Sequence, residues 1–162
     1  MFYLIANDRT LTATAADTEA ARALVASLAD GPVTVELEDY GGFEKVGSLP
    51  QSLPASDTRI TTSPGDIMLY QGRDIVVFYG SNTWSYTPLG KIEGATSAGL
   101  REFFGHGDVR VTLSLNPLSG LEVTEVDSAG GSCEIYDLTG RPVRGTLSPG
   151  FYIINGKKTL VK

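Results

Sequence analysis

The sequence predicts a mainly β protein: a many-stranded body with two short helices, followed by an all-β tail. Three observations lead there. Short β-prone runs follow one another through the first 115 residues, and VTVELEDY and DVRVTLSL alternate apolar with polar residues, the period of a half-buried strand. Only two stretches change to the helical period. A turn-rich run, Asn116-Pro117-Leu118-Ser119-Gly120, then separates the body from a tail in which no helix is signalled. The 162-residue chain is therefore read as a body over 1–115, a linker over 116–120 and a small β module over 121–162.

Taken in order, FYLIAN and RTLTATA are short β-prone runs around Asn7-Asp8, a dipeptide suited to a hairpin turn. In DTEAARALVASLADGP, Ala21, Leu24, Val25 and Leu28 fall on one helical face. Asp17 or Thr18 can cap the first turn and Gly31-Pro32 stops the helix. VTVELEDY alternates Val33, Val35 and Leu37 against polar residues. The Gly-, Ser- and Pro-rich stretch from Asp39 to Asp57 reads as a long loop with one short strand at Phe43–Val46. DIMLYQ and DIVVFYG flank Gly72-Arg73 as a tight hairpin, and SYTPLGKI is a strand whose Pro88 implies an edge or a bulge. TSAGLREFFG can turn Leu100, Phe103 and Phe104 toward a core, and DVRVTLSL closes the body. Beyond the linker, LEVTEV, SCEIYDL, RPVRG, GFYIIN and KTLVK read as short strands.

Charge is uneven. Residues 1–115 hold 8 Lys/Arg against 14 Asp/Glu, whereas residues 116–162 hold 5 of each. An acidic body repels phosphate, which argues against nucleic acid and anionic membrane as partners. No apolar run approaches the roughly 20 residues that span a bilayer as a helix. Cys133 is the single cysteine, expected to behave as a small buried hydrophobe, and with His106 in another module it makes poor material for a metal site. No cofactor or metal is expected. No phosphate-binding loop or Gly-x-Ser-x-Gly elbow is present.

Several phrases within residues 2–115 add a resemblance: LEDYGGFEKVGSLP, GDIMLYQG, VVFYGSNTWSYTPLGKI and GHGDVRVTLSL. As a set they resemble the small bacterial cyclophilin-like fold family. The resemblance implies a closed eight-stranded barrel with two helices at its ends. Closure suits a sequence with many alternating strands and too few helices to cover an open sheet. In cyclophilins that act as prolyl isomerases, an arginine, a glutamine and several aromatics line a groove on the outer barrel face. RITTSPGDIMLYQG is similar to the stretch carrying the first two, which nominates Arg59, Met68 and Gln71. VVFYGSNTW followed by LGKIEG is similar to a later strand, which nominates Phe78 and Trp84. The isomerases' histidine shortly after the tryptophan has no counterpart, since the one histidine is His106.

Read from the residues alone, Tyr70, Phe78, Tyr79, Trp84 and Tyr86 form the densest aromatic stretch. Core packing accounts for such residues in most proteins. Phe78 and Tyr79 are strand neighbours, however, and must face opposite sides, so one of them points outward near Trp84. Tyr40, Phe43 and Glu44 lie by Gly41-Gly42, which serves either a turn or a close approach of ligand.

The tail carries a second resemblance. IYDLTGR, LSPGFYIING and the final KKTLVK are similar to the C-terminal sorting domain of the type IX secretion system. That implies export, with the secretion machinery as a partner and a leader removed from the start. Lys157, Lys158 and Lys162 would then mark an edge open to an acidic receptor. The alternative is that these strands extend the body's sheet and the protein is cytoplasmic. The expectation is thus an exported, non-enzymatic binding module for a peptide or small ligand, its site formed by Met68, Tyr70, Gln71, Phe78 and Trp84. The alternatives are a peptidyl-prolyl isomerase using Arg59 and Gln71, and a structural companion domain with no small-ligand site.

Overall fold

In the computed structural model, the described residues are 1–117 and three strands further on, at 135–137, 150–154 and 157–161. The chain divides into two compact units, Met1–Leu118 and Ser119–Lys162. The first unit runs β1 (Phe2–Ala6), β2 (Arg9–Ala15), α1 (Glu19–Ala29), β3 (Val33–Tyr40), β4 (Glu44–Ser48), β5 (Thr58–Thr61), β6 (Asp66–Tyr70), β7 (Asp74–Phe78), β8 (Thr83–Ile92), α2 (Ser97–Phe104) and β9 (Val109–Ser114).

Eight of these strands form a closed antiparallel ring in the order β2-β1-β9-β3-β4-β7-β6-β8, sealed where β8 returns to β2 through Ala13↔Ile92 and Ala15↔Gly90. Closure removes the free edges that would otherwise template pairing with another chain. The pleat sorts the side chains. Phe2 and Leu4, Val35 and Leu37, Ile67 and Leu69, Ile75 and Val77, and Val111 and Leu113 all enter the inner core. Ala20, Leu24 and Leu28 of α1 join it, as do Leu100, Phe103 and Phe104 of α2. Burying an aliphatic side chain of this size is worth about 1.5–3 kcal/mol, so this interior carries most of the stability.

Local chemistry sets the boundaries. Asn7 and Asp8 both adopt positive φ (50° and 59°), the backbone a two-residue hairpin of right-handed twist requires. Thr18 caps α1: its hydroxyl accepts from the Ala21 amide at 3.0 Å and donates to the Pro88 carbonyl at 2.7 Å. That cap is worth about 1 kcal/mol, and it also ties the helix to β8. Pro88 sits inside β8 because the strand is irregular there. Ile67 pairs with Gly90 and Met68 with Pro88, so Leu89 is an extra, bulged residue. Pro88 also falls between the β5 pairing, which ends at Tyr86, and the β2 pairing, which starts at Gly90.

Two details differ from the sequence reading. The strand in the Gly-rich stretch begins at Glu44 rather than Phe43 and runs to Ser48. The short strand β5 was not foreseen, because TRIT is mostly exposed and lacks an apolar alternation. β5 lies outside the closed ring and pairs only with the first half of β8.

In the second unit, β10 (Ile135–Asp137), β11 (Gly150–Ile154) and β12 (Lys157–Val161) form a three-stranded antiparallel sheet. LEVTEV, RPVRG, Cys133 and Lys162 lie outside the described residues. Among the described residues, no helix is long and apolar enough to cross a membrane.

Candidate functional site

On β4, β6, β7 and β8, the residues that do not face the barrel interior form a second, smaller apolar cluster. Cross-strand partners share a face, and the pairs Val46↔Val76 and Met68↔Val76 lay one row across the outside of β4, β7 and β6. Met68, Val76, Phe78 and Tyr86 are buried in this cluster, with Phe43, Val46, Ile60 and Tyr70 packed against it. Tyr86 holds it together by edge-to-face contacts, with its ring centroid 5.4 Å from that of Phe78 and 6.1 Å from that of Tyr70.

Above this floor lies a groove of about 430 Å³. Tyr40, Tyr70, Trp84 and Tyr86 give it aromatic walls, Val46 and Val76 an apolar base, and Glu44, Asp74 and Asn82 its polar groups. Trp84 and Tyr86 stand two residues apart on β8 and so share its outer face. Tyr40 reaches the site from the end of β3, where Gly41 turns the chain at φ 62° with the Phe43 ring lying against it. The Phe43 carbonyl accepts from the amides of Tyr79 and Gly80 (3.0 and 2.8 Å), which pins this loop beside β7.

Glu44 is the unusual member. It is only 6% exposed, and its Oε2 has no hydrogen-bond partner among the described residues. Burial pushes its carboxyl up to about 7. The phenol of Tyr86 is also pushed up, first by burial and then by the nearby Glu44 charge, while Asn82 Nδ2 donates to its oxygen at 3.0 Å. Asp74 accepts from Ser48 Oγ at 2.6 Å.

One residue along, Lys45 faces the opposite way and is 1% exposed. Its Nζ donates to the Gly107 carbonyl and lies 3.5 Å from Asp39 Oδ2. Tyr79 donates to Asp39 Oδ1, and the Arg101 guanidinium sits 4.6 Å from the centre of the Tyr79 ring. Accepting from Tyr79, with Lys45 nearby, holds Asp39 below the usual carboxylate range. Burial, reinforced by Asp39, pushes Tyr79 up to about 12. The cavity here, which His106 also lines, is about 60 Å³ and has room for little more than water. This network ties β3, β4 and the end of β7 to α2.

Of the residues singled out in the sequence, Tyr70 and Trp84 line the groove, and Met68 and Phe78 lie beneath it in the apolar floor. Phe78 faces outward and Tyr79 inward. Gln71 does not line the groove. It occupies the β6–β7 turn at φ 50°, and its Nε2 donates to the Tyr70 hydroxyl at 3.0 Å, bracing that wall from behind. Arg59 does not line it either. On β5 it pairs with Ser85, while the next pair, Ile60↔Trp84, faces the aromatic cluster, so Arg59 projects from the other face. Sequence reasoning had not placed Glu44, Val46, Asp74, Val76, Asn82 or Tyr86 in one site. The pairings of β4 on β7, β7 on β6 and β6 on β8 gather them, and nothing local encodes those pairings.

The closed antiparallel ring, its two helices and the single strand laid outside it define a small β-barrel domain. A sequence model of the cyclophilin-like family matches residues 4–114, and the chain belongs to that family. No curated protein and no solved structure gives a significant match.

Proposed function

We propose that the barrel is a binding module that holds a small ligand or a peptide segment in the outer groove without transforming it. One observation carries this reading: four aromatic side chains converge on a single concavity above a buried apolar floor, with Trp84 54% and Tyr40 64% exposed. Large aromatic surface left to solvent beside a groove suits an incoming partner. The volume also falls in the usual range for small-molecule sites.

Trp84 is the only tryptophan, so indole emission reports on the groove directly. Titrating proline peptides and a fragment library into the full chain should shift that emission, and Tyr40→Ala should weaken any ligand found by about tenfold. A library that leaves the indole undisturbed would sink the proposal and favour a companion domain acting through some other surface. The isomerase alternative would use Arg59 and Gln71, neither of which lines the groove. A protease-coupled proline-peptide assay is expected to show no rate gain that Arg59→Ala removes.

The same proposal places the protein outside the cell, delivered through its tail after loss of a leader. Its support is the run of phrases IYDLTGR, LSPGFYIING and KKTLVK.

A further inference from the structure

Resting on the groove reading above, we propose that the ligand is a small organic cation, a protonated amine on an apolar body, with Glu44 as its counter-charge and hydrogen-bond acceptor. A buried carboxylate oxygen without a donor is uncommon in folded proteins, where nearly all such groups are paired. Glu44 Oε2 is one, in a residue that lines the groove. Among the described residues, none of those lining the groove supplies a cation to neutralise it. The groove lining contains Glu44 and Asp74 but no Lys, Arg or His. The nearest lysine in sequence, Lys45, is turned to the opposite face by strand alternation and is engaged with Asp39 and Gly107. Asp74 already has Ser48 as a donor, which leaves Glu44 as the unmatched acceptor.

The walls select for the same ligand. The faces of tyrosine and tryptophan rings attract cations, most strongly once water is excluded, and Tyr40, Tyr70, Trp84 and Tyr86 surround the site. An anionic ligand meets two carboxylates and a body of net charge −6. A quaternary ammonium would balance the charge but bring no N–H for Oε2. A primary or secondary amine supplies both.

The test uses three probes that share one ring: phenethylamine, phenethyl alcohol and phenylacetate. Each is titrated into the full chain at pH 8 and followed by Trp84 emission and calorimetry. The amine is expected to bind at least about tenfold tighter than the alcohol, and the carboxylate more weakly than either. In Glu44→Gln the preference for amine over alcohol should fall to within about twofold, and Glu44→Met serves as a second uncharged variant should the first misfold. Equal binding of amine and alcohol to the wild type, or an amine preference that survives both substitutions, overturns the inference while leaving the groove as a binding site. Silence from all three probes together with a silent fragment library removes the groove reading, and the inference with it.

Discussion

Glu44 and Lys45 are adjacent in sequence yet meet opposite surroundings, and the burial of Glu44 without a cation makes stability depend on pH. Lys45 is buried among acceptors: Asp39, and the Gly107 carbonyl. Glu44 is buried beside Tyr86 and near Tyr79 and Asp74, none of which brings it a positive charge. Its folded-state carboxyl is raised to about 7, so the folded state holds that proton more tightly than the unfolded chain does. The associated stability is complete below the ordinary range near 4.5 and is lost as pH rises through about 7. Urea unfolding between pH 4.5 and 8 should therefore show wild-type stability falling across that window. Glu44→Gln should flatten the fall and gain up to about 3 kcal/mol at pH 8. A variant no more stable than wild type at pH 8 would refute the buried-charge account. Asp39 acts in the opposite sense. Depressed chiefly by the Tyr79 hydroxyl, it contributes stability above the usual carboxylate range and loses it as pH falls through its lowered value.

Among the elements, β4 is the hinge between interior and groove. It presents Lys45 to the barrel mouth and Glu44 and Val46 to the outer site, and it must press closely on β3 to do both. Gly47 permits that approach. A Cβ there would lie 2.2 Å from the Glu36 carbonyl oxygen and 2.8 Å from side-chain carbons of Val35 and Leu37. The backbone oxygen cannot swing aside as a side-chain tip can, so Gly47→Ala must push two strands apart. Thermal or urea denaturation should record a loss of about 1–3 kcal/mol, with ligand response weakened in parallel. Unchanged stability would mean that β4 can shift freely, and the groove would then have no fixed floor on that side. β5 works at the same scale. Four residues outside the ring are enough to back Trp84, because Ile60 is its cross-strand partner.

For the whole molecule, the described core closes within the first unit. The family match spans 4–114 and the compact unit ends at Leu118. A chain of residues 1–118 is therefore expected to unfold in one cooperative transition and to keep the Trp84 response to any ligand that the full chain binds. On the export reading proposed above, deleting 119–162 from the gene in a host with type IX secretion should abolish export of the protein. Aggregation of the shortened chain would deny the barrel its independence. Undiminished export would overturn the proposal that the tail is an address.

How much of this was legible beforehand follows from the range of the interactions involved. Alternation in VTVELEDY and DVRVTLSL, the unbroken apolar runs DIMLY and DIVVF on either side of a tight turn, the helical spacing of Leu24 and Leu28, the Asn7-Asp8 turn and the Gly31-Pro32 stop are all encoded within a few residues. Tyr70 and Trp84 could be nominated because they stand in an aromatic-rich stretch, and Phe78 and Tyr79 could be assigned to opposite faces by the pleat alone. Which of those two faced outward could not be told, because that depends on which side of the strand the barrel encloses. For Glu44 the sequence offers only a place in a short strand beside two glycines, with no sign of burial. Its surroundings include Phe78, its cross-strand partner, and Tyr86, 34 and 42 positions along the chain and brought near it by strand pairing. Strand periods and turns were thus the sequence's own to determine. Ring closure, the register of β4 on β7 and the unpaired carboxylate were decided only by the tertiary structure, because pairing between distant strands and the exclusion of water exist only once the chain has closed on itself.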